Sequence, residues 1–193
     1  MYFTGVGSRK TPRPMGAILS DYAAVLGAAG YIGRSGAAEG ADTDIEAGLD
    51  RVRAKKEIYL HRKGASGHPS QLFGVTQEAF DIAKTLHPVW ESLTETAKKL
   101  HGRNVYQVLG RALNRPSQLL ICWTPDGMES ARERTRNSGG TATAIALAER
   151  HQIPVFNLAK PGSLTRLNTF LREKGITPPP HVEAPVLKQA GLF

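Results

Sequence analysis

The stretch Leu119-Leu120-Ile121-Cys122-Trp123-Thr124-Pro125-Asp126-Gly127 sets the fold class. Five consecutive apolar residues are too few for a typical helix and run straight into turn formers. Such a segment reads as a strand buried on both faces, the pattern of an interior position in a parallel sheet. Working outward, similar short strands are expected at 2–6, 31–34, 57–60 and 155–158. Between them lie segments of helical periodicity. Ile18, Tyr22, Val25 and Leu26 mark a helix over 14–29 that Gly30 closes, and Ile45, Leu49 and Val52 mark another that runs to about Lys55. Helices are expected at about 77–86, 90–101 and 104–113, then from about Gly140 and over 163–174, while the Gly-, Ser-, Pro- and His-rich segment 62–76 reads as a loop over one edge of the sheet. Strands alternating with helices define an α/β protein with a Rossmann-like, doubly wound, mainly parallel sheet in three α/β/α layers. One domain is expected over 1–176, with a proline-rich tail over 177–193 that opens on Thr177-Pro178-Pro179-Pro180.

In a doubly wound sheet ligands bind at the carboxyl ends of the strands, where the strand order reverses. Three glycine-rich turns fall at such ends: Gly5-Val6-Gly7-Ser8-Arg9, Ser35-Gly36-Ala37-Ala38-Glu39-Gly40-Ala41-Asp42 and Asn137-Ser138-Gly139-Gly140-Thr141. Glycine lets the backbone approach a ligand closely, and a helix that starts there presents unpaired N–H groups and a positive dipole end to an anion. Ser8, Ser35, Ser138, Thr141 and Thr143 are candidate hydroxyl donors, and Arg9 and Arg34 candidate phosphate partners. Each turn alone equally describes plain loop or capping chemistry; the weight lies in three at one end of one sheet.

The chain carries 25 Lys and Arg against 17 Asp and Glu, for a net charge of +8 and a pI of about 9.8. That balance favours phosphate-bearing or polyanionic partners, or serves solubility. No stretch approaches the length of a membrane span, the amino terminus lacks a signal-peptide layout, and Cys122 is the single cysteine, so a cytoplasmic protein without membrane association is expected. Cys122 lies in an apolar strand, where core packing competes with nucleophilic chemistry. His61, His68, His87 and His101 show no metal-ligand spacing; neither a structural metal nor a resident cofactor is expected. Tyr31, Tyr59 and Trp123 fall in strands and read as core rather than as stacking platforms for bases.

The segments GVGSRKTP (5–12), RSGAAEGAD (34–42) and LICWTPDG followed by NSGGTATAIALAERHQIPVFNL (120–127 and 137–158) together resemble the SMF/DprA–LOG superfamily, also called SLOG, over roughly residues 1–160. The resemblance implies a Rossmann-like fold that binds nucleotides, nucleotide-derived signals or, in the DprA branch, single-stranded DNA. Taken with the turns, it leaves Gly7, Ser8, Arg9, Arg34, Ser35, Gly36, Gly40, Asp42, Asp126, Ser138, Gly139, Gly140 and Thr141 as the expected ligand-binding positions.

The branches divide at the third turn. The phosphoribohydrolase branch resembles P-G-G-x-G-T-x-x-E; here Ser138 replaces the proline, Ala142 the later glycine and Ala146 the catalytic glutamate, with Glu149 as the local substitute. An alanine methyl neither stabilises an oxocarbenium-like centre nor positions water. An N-glycosidic hydrolase using Glu39, Asp42 or Asp126 stays open. Asp126 also reads as a simple turn residue before Gly127, and Asp42 as a ribose-hydroxyl acceptor or a helix-start acid. DprA-like single-strand binding would run along Arg103, Arg111, Arg115, Arg132, Arg134 and Arg136. A third branch of compact nucleotide-signal binders resembles R-N-x-x-M, and here Arg103-Asn104-Val105-Tyr106-Gln107 gives Arg103 as a phosphate partner and Asn104 as a base or ribose partner; a helix start with Asn104 near the N-cap reads equally well. The expected protein binds a nucleotide or nucleotide-derived signal, NAD-derived or cyclic compounds included, as a sensor or a sequestering, anti-defence protein; relatives often form homo-oligomers, and whether the ligand is cleaved stays open.

Overall fold

The computed structural model describes residues 1–180 of the chain. Five parallel strands form one sheet: β1 (Tyr2–Gly7), β2 (Ile32–Ser35), β3 (Lys56–Ile58), β4 (Leu120–Trp123) and β5 (Val155–Asn157), in the order β3-β2-β1-β4-β5. The order reverses between β1 and β4, whose register pairs Val6 with Cys122 and Gly7 with Trp123. The carboxyl ends of these two strands therefore flank the switch point of a Rossmann-like sheet.

Among the described residues six α-helices cover the sheet: α1 (Arg13–Ala28), α2 (Ala41–Arg51), α3 (Gln77–Leu86), α4 (Glu95–Leu109), α5 (Thr141–Arg150) and α6 (Ser163–Glu173). The β4 run divides by strand alternation. Ile121 and Trp123 join the core shared with α1, α2 and α6, whereas Leu120 and Cys122 join the core shared with α3, α4 and α5. Period-two burial on both faces is why this strand is apolar throughout. Cys122 is fully buried, and burial pushes its thiol well above the ordinary value, which leaves it a core residue. Tyr31, Tyr59 and Trp123 are buried too.

Several glycines serve this packing. A Cβ on Gly33 would stand 2.3 Å from Leu49, and one on Gly48 would stand 2.0 Å from the Ser20 carbonyl oxygen, so α2 lies hard against both the sheet and α1.

One helix boundary differs from expectation. Instead of helices over 90–101 and 104–113, a 3₁₀ turn spans Trp90–Ser92 and one unbroken helix, α4, follows with Thr94 as its N-cap, its hydroxyl accepting the Ala97 N–H at 3.2 Å. Gly102 lies between the two expected ranges. In the fold it is a contact point, since a Cβ there would meet Val75 Cγ1 at 2.4 Å. Asn104 accordingly lies in the middle of α4 and is no N-cap. The second helix also ends earlier than about Lys55, at Arg51, with Arg53 in the left-handed region at φ 54°. Segment 62–76 runs beside the β3 edge, where Leu60 forms an isolated parallel bridge to Phe73. Thr177–Pro180 belong to no regular element, and the rest of the expected tail lies outside the described residues.

Candidate functional site

All three glycine-rich turns stand at the carboxyl end of the sheet, after β1, β2 and β4 respectively. Their residues divide into those that build the fold and those that face outward.

The first two turns are mostly internal. A Cβ on Gly7 would collide with Ala41 Cβ at 2.6 Å and the Trp123 carbonyl oxygen at 2.8 Å, so this glycine lets α2 and β4 close on β1. Gly40, at φ 85°, lies against the Ser8 carbonyl, 2.6 Å from where its Cβ would stand. Ser8 Oγ accepts the Lys10 N–H at 3.0 Å, and Arg9 is exposed. Ser35 is fully buried and donates to the Gly5 carbonyl at 2.8 Å.

Arg34 corrects an expectation. It is 1% exposed, its Nε bonds Glu57 Oε2 at 2.8 Å, its Nη1 donates to the Arg115 carbonyl at 2.5 Å, and its guanidinium lies 3.7 Å over the Tyr2 ring. A guanidinium so occupied pins β2 to β3 and to the end of α4. Its Nε and Nη1 are thus spent inside the fold.

Asp42 and Arg103 form a buried pair at 3.3 Å beneath the second turn. The Asp42 carboxylate also accepts N–H bonds from Ala38 and Gly7. Burial pushes this carboxyl up, and Arg103 opposes that shift most strongly. Gly36 makes room for the pair: a Cβ there would fall 1.6 Å from Arg103 Nη1 and 2.6 Å from Gln107 Nε2. Arg103 Nε and both amide atoms of Gln107 are buried without a partner among the described residues. Asp42 and Arg103, read from the sequence as ribose acceptor and phosphate partner, are thus both buried and paired with each other.

The third turn is the open one. Asp126 organises it: Oδ2 accepts the hydroxyls of Thr135 and Ser138, and Oδ1 accepts Thr124 Oγ1 at 2.7 Å. Burial alone would raise this carboxyl, but the bonds from Ser138, Thr135 and Thr124 outweigh it and hold the value low. Ser138 Oγ also accepts the Thr135 N–H at 2.9 Å, so its hydroxyl belongs to the loop. Gly139 follows at φ 59°, ψ −152°, a conformation open essentially to glycine alone. The backbone N–H groups of Gly139, Gly140 and Thr141 donate to no acceptor among the described residues, and they open α5. Unpaired N–H groups at a helix start are the physical requirement for anion binding.

Helix α4 supports this turn from behind. Asn104 Nδ2 donates to the Gly140 carbonyl at 2.8 Å, and one turn earlier His101 Nδ1 meets Thr143 Oγ1 at 2.8 Å. Beside it opens a cavity of about 370 Å³ lined by His87, Pro88, Val89, His101, Arg134, Thr135, Arg136 and Gly139. Burial lowers His101 to about 4, with further depression from His87, Arg134 and Arg103. This cavity was not assembled by sequence reasoning. Its signal was the three-residue spacing of His101 and Asn104, which puts both on one helical face.

Three of the four carboxylates considered for hydrolysis are engaged within the fold. Asp42 and Asp126 are held as described, Glu149 Oε2 accepts the Ala131 N–H at 2.6 Å, and Glu39 is exposed. Of the arginines considered as a track, Arg111 donates to the Gly74 carbonyl and covers the Tyr106 ring, while Arg132 and Arg136 are exposed.

No protein-family model and no curated protein matches the sequence. Among solved structures, the chain is similar to the molybdenum cofactor carrier protein of Chlamydomonas reinhardtii at 16% identity and a TM-score of 0.48, over 91% of this chain and 85% of that chain. The class of protein is a Rossmann-like α/β fold built on a five-stranded parallel sheet, and no described helix is long and apolar enough to cross a membrane.

Proposed function

We propose that this chain is a SLOG-type protein that binds a nucleotide or nucleotide-derived signal, with a phosphate at the start of α5, and acts as a sensor or sequestering protein rather than as a hydrolase. The observation that carries this reading is the set of unpaired N–H groups on Gly139, Gly140 and Thr141, next to a cavity walled by Arg134 and Arg136. Phosphate gains from the helix dipole and from these N–H donors. Binding without turnover is favoured because Asp42, Asp126 and Glu149 are committed to bonds within the fold. In this reading Asn104 positions the turn, Gly7, Gly36 and Gly40 provide packing room, and Arg9 reaches the ligand from the rim.

The test is a thermal-shift panel of nucleoside phosphates, NAD-derived cyclic nucleotides and oligo-dT, with chromatography of each mixture. A nucleotide that raises the melting temperature and is recovered intact is the expected result. Stabilisation by oligo-dT alone would replace this reading with DprA-like single-strand binding, and release of a free base would replace it with a hydrolase. Gly140→Asp is the matched variant: Gly140 has φ −65°, and a Cβ there meets nothing closer than Asn104 Nδ2 at 3.9 Å. The fold accommodates the side chain and a carboxylate suits a helix start, but it occupies the phosphate position, so binding is lost while the unliganded melting temperature holds or rises.

A further inference from the structure

The cavity beside Gly139 holds more positive charge than one phosphate at the α5 N-terminus uses. Arg134 Nη1 donates to the Leu86 carbonyl at 2.8 Å, but its Nη2 is buried with no partner among the described residues. Arg136 stands exposed on the same wall. His87 and His101 also line it, with ring centroids 4.5 Å apart. Among the described residues, no carboxylate lines the cavity. At about 370 Å³ its volume falls in the range of small-ligand pockets.

We propose that this cavity receives a second phosphoryl group, so that the ligand is a diphosphate-bearing compound whose first phosphoryl group lies on the α5 N–H groups and whose second lies among Arg134, Arg136 and the His87–His101 pair. The inference rests on the phosphate reading of the α5 start and adds the ligand's charge and reach. Two guanidinium groups, one with an unfilled donor, match the several oxygens of a terminal phosphoryl group. The histidines add a proton-linked component. Burial lowers both rings, with Arg134 adding to the shift of His87, and His87, Arg134 and Arg103 adding to that of His101. A dianion between them offsets those cations and draws a proton onto the pair.

Inorganic phosphate and inorganic pyrophosphate are the probes, because they carry no base whose identity matters. Titrations of the full chain by calorimetry are expected to show pyrophosphate bound at least about tenfold more tightly than phosphate, the scale of one charge-assisted contact. Arg136→Gln, at an exposed position, is expected to bring that ratio to near one while phosphate affinity holds, and Arg134→Lys to reduce it in part. Pyrophosphate titrations at pH 6 in buffers of different ionisation enthalpy are expected to show more proton uptake by the wild type than by His101→Gln, a difference in which the anion's own ionisation cancels; equal uptake would remove the histidine pair from the subsite. Equal affinities in the wild type, or a ratio that Arg136→Gln leaves intact, would overturn the second subsite while leaving the first. Loss of phosphate binding in Gly140→Asp supports the first site separately, and failure of wild-type protein to bind either anion overturns both.

Discussion

Asn104 and Gly140 are joined by a 2.8 Å hydrogen bond from the Asn104 amide to the Gly140 carbonyl, which ties the middle of α4 to the turn that opens α5. The bond accepts nothing from a ligand. It fixes the direction of the peptide that precedes Thr141, and with it the aim of the unpaired N–H groups. Asn104→Ala removes it from a buried position and is expected to cost about 1 kcal/mol of stability. Ligand affinity is expected to fall further than stability, because a loosened turn must be ordered on binding. Urea unfolding alongside nucleotide titration checks both; unchanged affinity would show that the turn is held by the Asp126 loop alone.

Gly36→Ala tests the buried pair under the second turn. The added methyl occupies the space of the Arg103 guanidinium, which must leave and strand the Asp42 carboxylate. Breaking a buried pair costs about 3 kcal/mol or more. Chemical denaturation is expected to show a loss of that order, and the double variant Gly36→Ala, Asp42→Asn to recover part of it.

Arg34→Lys separates fold from ligand. Lysine keeps the charge beside Glu57 but cannot make the second bond to the Arg115 carbonyl or lie flat over Tyr2. Stability is expected to fall by about 2 kcal/mol, the scale of a lost charge-assisted bond, with nucleotide affinity unchanged. A selective loss of affinity would restore Arg34 as a ligand residue.

His101 makes stability depend on pH. The unfolded imidazole titrates near 6.5 and the folded one near 4, so between those values the unfolded chain binds the extra proton. Stability from the neutral, Thr143-bonded ring is therefore fully present above pH 6.5 and is lost as pH falls toward 4. The span of the shift sets an upper bound of about 3 kcal/mol. Urea midpoints of wild type between pH 7 and 4 are expected to fall more steeply than those of His101→Gln, which keeps a polar partner for Thr143 but does not titrate.

Strand and helix identities were legible because each is written in local pattern. The Leu119–Trp123 run, the Ile18–Leu26 stripe and the turn formers between them need no knowledge of partners. The boundary within 90–113 was misread because Gly102 looks the same whether it breaks a helix or lets Val75 approach one. For the site, the three turns were legible as a group, and their convergence follows from the strand order. The roles inside them were not. Arg34 and Arg9 are both arginines beside glycine turns, and sequence position does not reveal that one is buried against Glu57 while the other faces water.

By itself, then, the sequence determined the alternation of elements, the parallel sheet and the end of it where the turns gather, because periodicity and turn chemistry act over a few residues. Tertiary structure alone decided which donors stay unspent. Whether Ser138, Asp42, Arg103 or the Gly139–Thr141 N–H groups face a ligand depends on partners many residues away: Asp126 for Ser138, Arg103 for Asp42, and Asn104 for the Gly140 carbonyl. A polar group buried without a partner costs free energy, so packing satisfies most candidates internally and leaves only a few to face a ligand.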